Sequence, residues 1–327
     1  MEDETLATDV RSRYERFAAV EADPRSPLFA EWARGVAGDD EVVARIETLP
    51  TVKQQANLVF ASARFAGVPL APWPEVRETF LASWDAIATC ALERSTQTNE
   101  ARRLATLLPV FARLRQPVAL IELGASAGLC LHPDRWRYDF GDGRTVGDAG
   151  APLLSTHANA ATPVPDAVPQ VIWRAGIDLE PLDVSDDDDL RWLGTLIWPV
   201  GNGEEDVERL NRLRAGADIA RSDPPRIDRG DLLSGTGRLI EEAARHAEHV
   251  VVFHSAVLAY LPEAARRQFA DLMASSPATW VANEGLGIVA GTNRIRNAPP
   301  GAFAITVGGS PVALADPHGS WLTWLER

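Results

Sequence analysis

Apolar residues recur at helical spacing through the first 115 positions, then gather from residue 118 into short β-branched runs separated by glycine turns and further helical stretches. Val10, Tyr14 and Phe17 share a stripe that Pro24 ends, and Ser26-Pro27 opens a second helix with Leu28, Trp32 and Val36 inward. Asp39-Asp40 starts a third, burying Val42, Val43 and Ile46, and 53–65 and 74–93 read as two more. The latter is predicted as one helix with Val76, Phe80, Trp84 and Ile87 on one face, and aromatic residues on such stripes read as core. Gln97-Thr98-Asn99-Glu100 leads into a helix with Leu104, Leu107, Leu108 and Phe111 inward. Its polar residues either cap that helix or face a ligand, since the helix feeds directly into the first strand.

Val118–Leu123, between Pro117 and Gly124, reads as a buried parallel strand, and Gly124 and Gly128 bracket a tight turn. Trp136, Tyr138 and Phe140 alternate and pair across Asp142-Gly143 with 144–146 as a hairpin, while 147–169 reads as a loop. Strands follow at 170–175, 226–231, 249–254 and 279–283, with helices between them. The run Asp186–Asp189 is predicted as cap and first turn of a helix carrying Trp192 and Leu193. A hairpin over 302–315, turned by Gly308-Gly309, ends the pattern. The expected fold is therefore α/β and Rossmann-like: a mostly parallel sheet with a terminal antiparallel hairpin at its edge, preceded by an all-helical N-terminal region. The division expected is 1–115 for the helical region, acting as a lid, and 116–327 for the α/β domain with an insertion at 131–169.

The formal net charge of −14 and pI of about 4.9 come without a basic face, which argues against a nucleic-acid partner. No run approaches the ~18 apolar residues of a spanning helix, so no membrane partner is expected. Two cysteines, Cys90 and Cys130, and the acidic start at Met1 point to a cytoplasmic protein. No His-x-x-x-His or Cys-x-x-Cys spacing supports a metal, and adjacent helical carboxylates such as Asp186–Asp189 diverge. The oligomeric state is not legible.

A strand entering a glycine turn lets backbone amides approach a ligand, and Glu122 stands near that strand's carboxyl end. The alternation from residue 118 resembles the class I S-adenosylmethionine-dependent methyltransferase fold. Glu122-Leu-Gly124-Ala-Ser126-Ala-Gly128 is similar to its nucleotide turn, with Ser126 at the middle glycine. Gly176-Ile-Asp178 resembles the end of its second strand and Gly230-Asp231 that of its third, while His254-Ser255 takes the position facing the methyl group. That resemblance implies S-adenosylmethionine as cofactor: Glu122, Gly124, Ser126 and Gly128 would hold its methionine end, Asp178 the ribose and Asp231 the adenine. His254, as general base, and Tyr260 are the catalytic candidates. Gln97, Asn99, Glu100, Ser255, Glu284 and His318 would line the pocket of a small-molecule acceptor. Glu122 and Asp178 stand 56 positions apart, an excess assigned to the insertion.

A closer resemblance covers nearly the whole chain. Gln97–Glu100, Glu122–Leu129, Trp173–Asp178, Arg229–Asp231, Phe253–Tyr260 and Asp316–Gly319 are similar to the bacterial domain-of-unknown-function family 2332, which implies a fold and no reaction. Two other readings share these residues. One is a nucleotide- or metabolite-binding scaffold without chemistry. The other is an α/β-hydrolase in which Gly124-Ala-Ser126-Ala-Gly128 is a nucleophile elbow, with Asp231 and His318 completing a triad.

Overall fold

The computed structural model describes residues 9–97, 100–141, 143 and 145–326. Its contacts group into two compact units, one of residues up to 98 with Asp186–Asn211, the other of residues 99–185 with Arg212–Arg327. These limits differ from a division at 115/116. The helix leading into the first strand goes with the sheet, and the segment opened by the acidic run goes with the N-terminal helices.

The first unit carries α1 (Val10–Arg16), α2 (Pro27–Ala37), α3 (Asp40–Glu47), α4 (Ala56–Phe65), α5 (Trp73–Ala82) and α6 (Trp84–Glu93). Helix α7 (Arg103–Phe111) lies in the second unit, and α8 (Asp187–Thr195) returns to the first. The caps are local and fall where the sequence places them: Asp39 accepts the Glu41 and Val42 amides, and Asp186 those of Asp188 and Asp189. Two stripes behave differently from expectation. Beyond α1 the chain widens into a π-helical turn at Phe17–Ala22, which keeps Phe17, Ala18 and Ala22 buried. The stretch predicted as one helix over 74–93 is two, because Ser83 (φ −93°, ψ 6°) leaves helical geometry.

Phe60 is the hub of this core and takes edge-on contacts from Tyr14 (5.8 Å, 78°) and Trp32 (5.4 Å, 86°), the arrangement ring quadrupoles favour. The Trp73 indole lies against the backbone of Gly35, where a Cβ would stand 2.2 Å from the ring. Gly35→Ala is therefore expected to destabilise the protein by about 1–3 kcal/mol, the usual cost of overpacking. Gly38→Ala, whose Cβ would meet the Arg34 and Gly35 carbonyls at 3.5 and 3.8 Å, ordinary contact distances, is expected to be close to neutral. Calorimetric melting of the two variants checks this; equal melting temperatures would contradict it.

The second unit is built on β1 (Val118–Leu123), whose six residues are all buried. Its insertion carries β2 (Arg137–Asp139), β3 (Thr145–Val146), β4 (Leu153–Ser155) and β5 (His157–Ala158). Then come β6 (Val171–Asp178), α9 (Val207–Ser222, in this unit from Arg212 onward), β7 (Arg226–Arg229), α10 (Leu232–Ala243), β8 (His249–Ser255), α11 (Glu263–Ser275) and β9 (Thr279–Gly285). The chain closes with β10 (Phe303–Val307), β11 (Ser310–Ala315) and β12 (Trp321–Trp324). Among the described residues the main sheet has nine strands in the order β5-β12-β11-β10-β9-β8-β1-β6-β7. β7, β6, β1, β8 and β9 run parallel, and β10, β11 and β12 continue antiparallel.

Side chains alternate along β1, as a strand with both faces covered requires. Val118 and Leu120 face α7 and the insertion, packing with Leu104, Leu108, Phe111, Phe253 and Val281. Ala119, Ile121 and Leu123 face the other way, into a cluster with Leu239, Ile240 and Phe269 of α10 and α11. Between β10 and β11, Gly308 (φ 56°) and Gly309 (φ 79°) form the two-residue turn with both angles positive that suits twisted strands. The hairpin is not the edge of the sheet, however: β12 lies outside it, and β5 lies outside β12, paired in parallel through His157↔Trp321.

Residues 147–169, predicted as a loop, thus supply two strands. β4 pairs with β2 in a small three-stranded sheet, and β5 completes the main one. Arg174 of β6 fastens the insertion at its other end. Its guanidinium makes a paired contact with Asp134 (2.9 and 3.0 Å) and donates to the Leu131 carbonyl and to Nδ1 of His132. Burial, then the neighbouring Arg174 charge, pushes the His132 ring down to about 4, so it is a neutral acceptor here.

Candidate functional site

From β1 the chain crosses to β6 on one side and later returns to β8 on the other, so the loops after β1 and β8 flank a topological switch point. The first loop is strongly curved: Gly124 (φ 66°), Ser126 (φ 48°) and Gly128 (φ 70°) all take left-handed conformations, which cost a residue with a Cβ about 1–2 kcal/mol. The bend is held from the adjacent strand. The Gly124 and Ala125 amides donate to the Ile177 carbonyl, and the Ser126 amide donates to the Asp178 carboxylate at 2.8 Å. The other Asp178 oxygen accepts the Glu180 amide at 2.8 Å. The close approach that glycine permits is made to the protein's own side chains. A Cβ on Gly124 would stand 2.5 Å from Val257, and one on Gly128 2.8 Å from Pro225.

The loop after β8 is held in the same manner from its own neighbour. Ala256 takes φ 59° and its amide donates to the Asn283 carbonyl. The amides of Val257 and Leu258 donate to Glu284 Oε1 at 2.8 and 3.0 Å, and His254 Nδ1–H donates to the same oxygen at 2.7 Å. His254 Nε2 accepts the indole N–H of Trp280 at 2.9 Å, which fixes the Nδ1–H tautomer. The ring is fully buried with both nitrogens engaged, so at the position where the resemblance implies a general base it serves here as a structural clamp. Burial works against the Glu284 charge, yet the bonds from His254, Val257 and Leu258 hold its carboxyl below the ordinary value of 4.5. Glu284 therefore supports the loop through Oε1, while its Oε2 is buried with no partner among the described residues. Tyr260 ends the short turn Leu258–Tyr260 and is 74% exposed.

On the α7 face of the sheet, Glu122 is buried and its Oε2 has no hydrogen-bond partner among the described residues. Burial pushes its carboxyl well above 4.5, against the nearby Arg103 charge and with that of Asp178. Arg103, from the first turn of α7, donates to the carbonyls of Pro317 (2.8 Å) and Ser255 (3.2 Å), tying α7, β8 and the loop before β12 together. Nothing in the sequence signals that role. Glu100 is buried, accepts the Arg102 amide and pairs with the buried Arg212, so it neither caps by charge alone nor lies open. α7 begins at Arg103 with no side-chain cap. Thr98 and Asn99 lie outside the described residues, and Gln97 belongs to the other compact unit.

Two expected residues, Asp231 and His318, stand elsewhere. Asp231 is exposed and caps α10, accepting the Leu233 and Ser234 amides. His318 sits in a tight loop whose Asp316 carboxylate accepts the His318 amide, while the His318 carbonyl accepts Arg102 Nε. The Ser126 hydroxyl is buried with no hydrogen-bond partner among the described residues. A hydrolase triad of Ser126, Asp231 and His318 is thus not assembled, and no strand precedes β1 among the described residues.

Strand order about the switch point, with helices on both faces, defines a doubly wound α/β protein whose polar residues collect at the strands' carboxyl ends. The chain belongs to the family described as "Uncharacterized protein conserved in bacteria (DUF2332)", whose model matches residues 11–324. Neither the curated proteins nor the solved structures give a match. No helix among the described residues is long and apolar enough to cross a membrane, and none of their His, Cys, Asp and Glu side chains cluster as a metal site.

A pH dependence follows from Glu122. A carboxyl whose folded value lies above its unfolded one contributes stability below about 4.5 that is lost as pH rises through the folded value. Glu122→Gln removes that loss. The variant is expected to match the wild type near pH 4 and to melt higher above pH 7, in melting curves recorded without ligand. A variant that melts lower at alkaline pH would assign Glu122 an ionised structural role.

Proposed function

We propose that the carboxyl-end face of the parallel strands binds S-adenosylmethionine and that the protein is a methyltransferase acting on a small molecule. The observation that carries this reading is the Glu122 carboxyl, buried at the end of the central strand with Oε2 unpartnered among the described residues. An orphaned acceptor there fits the ammonium group of the cofactor's amino-acid end, because a buried carboxylate is stabilised by a charged donor. Asp178 and Ser126 support the reading by fixing the turn beside it. Once bound, the cofactor supplies an electrophilic methyl group on a sulfonium.

The protein's share is positioning and exclusion of water. Proton removal is not assigned to His254, whose nitrogens are both engaged. That engagement also favours the second reading, a scaffold that binds the nucleoside without transferring a methyl group.

Titration calorimetry with S-adenosylhomocysteine tests the proposal. Saturable binding is expected, weakened about 10–100-fold in Glu122→Gln, as for loss of a charge-assisted hydrogen bond. Because burial raises the proton affinity of Glu122, docking of an ammonium should favour release of a proton, seen as different heats in two buffers and as affinity rising with pH. No binding to the wild type would refute the proposal; binding that Glu122→Gln leaves unchanged would remove Glu122 from the site.

A further inference from the structure

Ser255 and Asn283 stand directly opposite each other across β8 and β9, on the same face as Glu122. Asn283 is fully buried; its Nδ2 donates to Ser255 Oγ at 3.0 Å, and its Oδ1 has no partner among the described residues. Ser255 is only half-buried, and its hydroxyl proton is not used in that bond. The pair therefore presents one acceptor, Asn283 Oδ1, and one donor, the Ser255 O–H. Turning the amide over exchanges the roles and leaves one donor and one acceptor as before.

We propose that Ser255 and Asn283 form a recognition site for a neutral carboxamide, carried by the small molecule that occupies the β8–β9 side of the site. A carboxamide offers a donor and an acceptor side by side, matching both. A carboxylate lacks the donor, an ammonium lacks the acceptor, and a ketone or ester lacks the donor. The Arg103 guanidinium beside the pair already donates to the Ser255 and Pro317 carbonyls. The site is distinct from the nucleoside's: Asp178 ends β6, three strand spacings or about 14 Å from β9. Its place as the second-substrate subsite rests on the nucleoside reading above.

The test is saturation-transfer NMR and titration with benzamide as probe, against benzoate and methyl benzoate, with and without saturating S-adenosylhomocysteine. Benzamide is expected to bind and the other two to bind at least tenfold more weakly. Asn283→Leu is expected to weaken benzamide tenfold or more and to leave S-adenosylhomocysteine affinity unchanged. Ser255→Ala, at a half-buried position, gives a milder variant that should fold normally and weaken benzamide severalfold. Asn283→Asp, whose carboxylate would accept the Ser255 O–H and leave only acceptors facing the ligand, is expected to prefer benzamidine, a gain that misfolding cannot mimic. Binding of S-adenosylhomocysteine without benzamide, or benzamide affinity indifferent to both Asn283→Leu and Ser255→Ala, overturns the inference. Benzamide binding that these variants abolish, with no S-adenosylhomocysteine binding, sustains it while the nucleoside reading fails.

Discussion

Two carboxylates reach sideways from neighbouring strands to hold the loops on either side of the central strand pair, and the rest of the site is arranged by them. Asp178 takes the Ser126 amide and Glu284 the amides of Val257 and Leu258. Each loop contains a residue with a Cβ at positive φ, Ser126 and Ala256, a conformation that persists where its surroundings over-determine it. The two loops also touch, since Val257 fills the space a side chain on residue 124 would need. A change in either carboxylate is therefore felt across the switch point. His254 extends the support inward by linking Glu284 to the indole of Trp280.

The polar groups on the α7 face divide into those spent on the fold and those left over. Glu100 with Arg212 ties the segment before α7 to α9, and Arg103 with two carbonyls binds α7 to the ends of the strands. Glu122 and Asn283 each keep one buried oxygen without a partner among the described residues. Buried acceptors of this kind are uncommon in a settled interior, and two on one face at the carboxyl ends of the strands give this surface its chemical character. The opposite face, packed by α10 and α11, is apolar along β1 itself and carries the buried His254–Glu284 pair beside it, with Glu284 Oε2 also unpartnered among the described residues.

What the sequence disclosed depended on how far apart the interacting partners lie. The cap at Asp186 and the strand between Pro117 and Gly124 are set by residues a few positions away, and both are where the pattern puts them. The break at Ser83 escapes periodicity because Phe80, Trp84 and Ile87 keep helical spacing across it. β5 has two residues and no alternation of its own; only its pairing with β12 makes it a strand. His254 stands at a strand end as expected, but the groups that occupy its ring come from the next strand, 26 and 30 residues later. Residue types thus located the region of interest, and long-range contacts decided the role of each side chain.

The parallel pairing of β5 with β12 carries a consequence for the order of assembly. The Ala158 amide donates to the nearby Phe140 carbonyl, but the amides of His157 and Asn159 find their acceptors at Ser320 and Leu322, and Asn159 also exchanges hydrogen bonds with the Trp324 backbone. On a ribosome, the insertion would emerge long before the segment that secures its outer end, leaving β5 unpaired while more than a hundred further residues are made. Such distant closures are slow and expose open backbone in the interval. The fixed Arg174–Asp134 contact at the insertion's other end joins residues only 40 apart, so it can form early. That early anchor would keep the waiting segment close to the chain it must eventually flank.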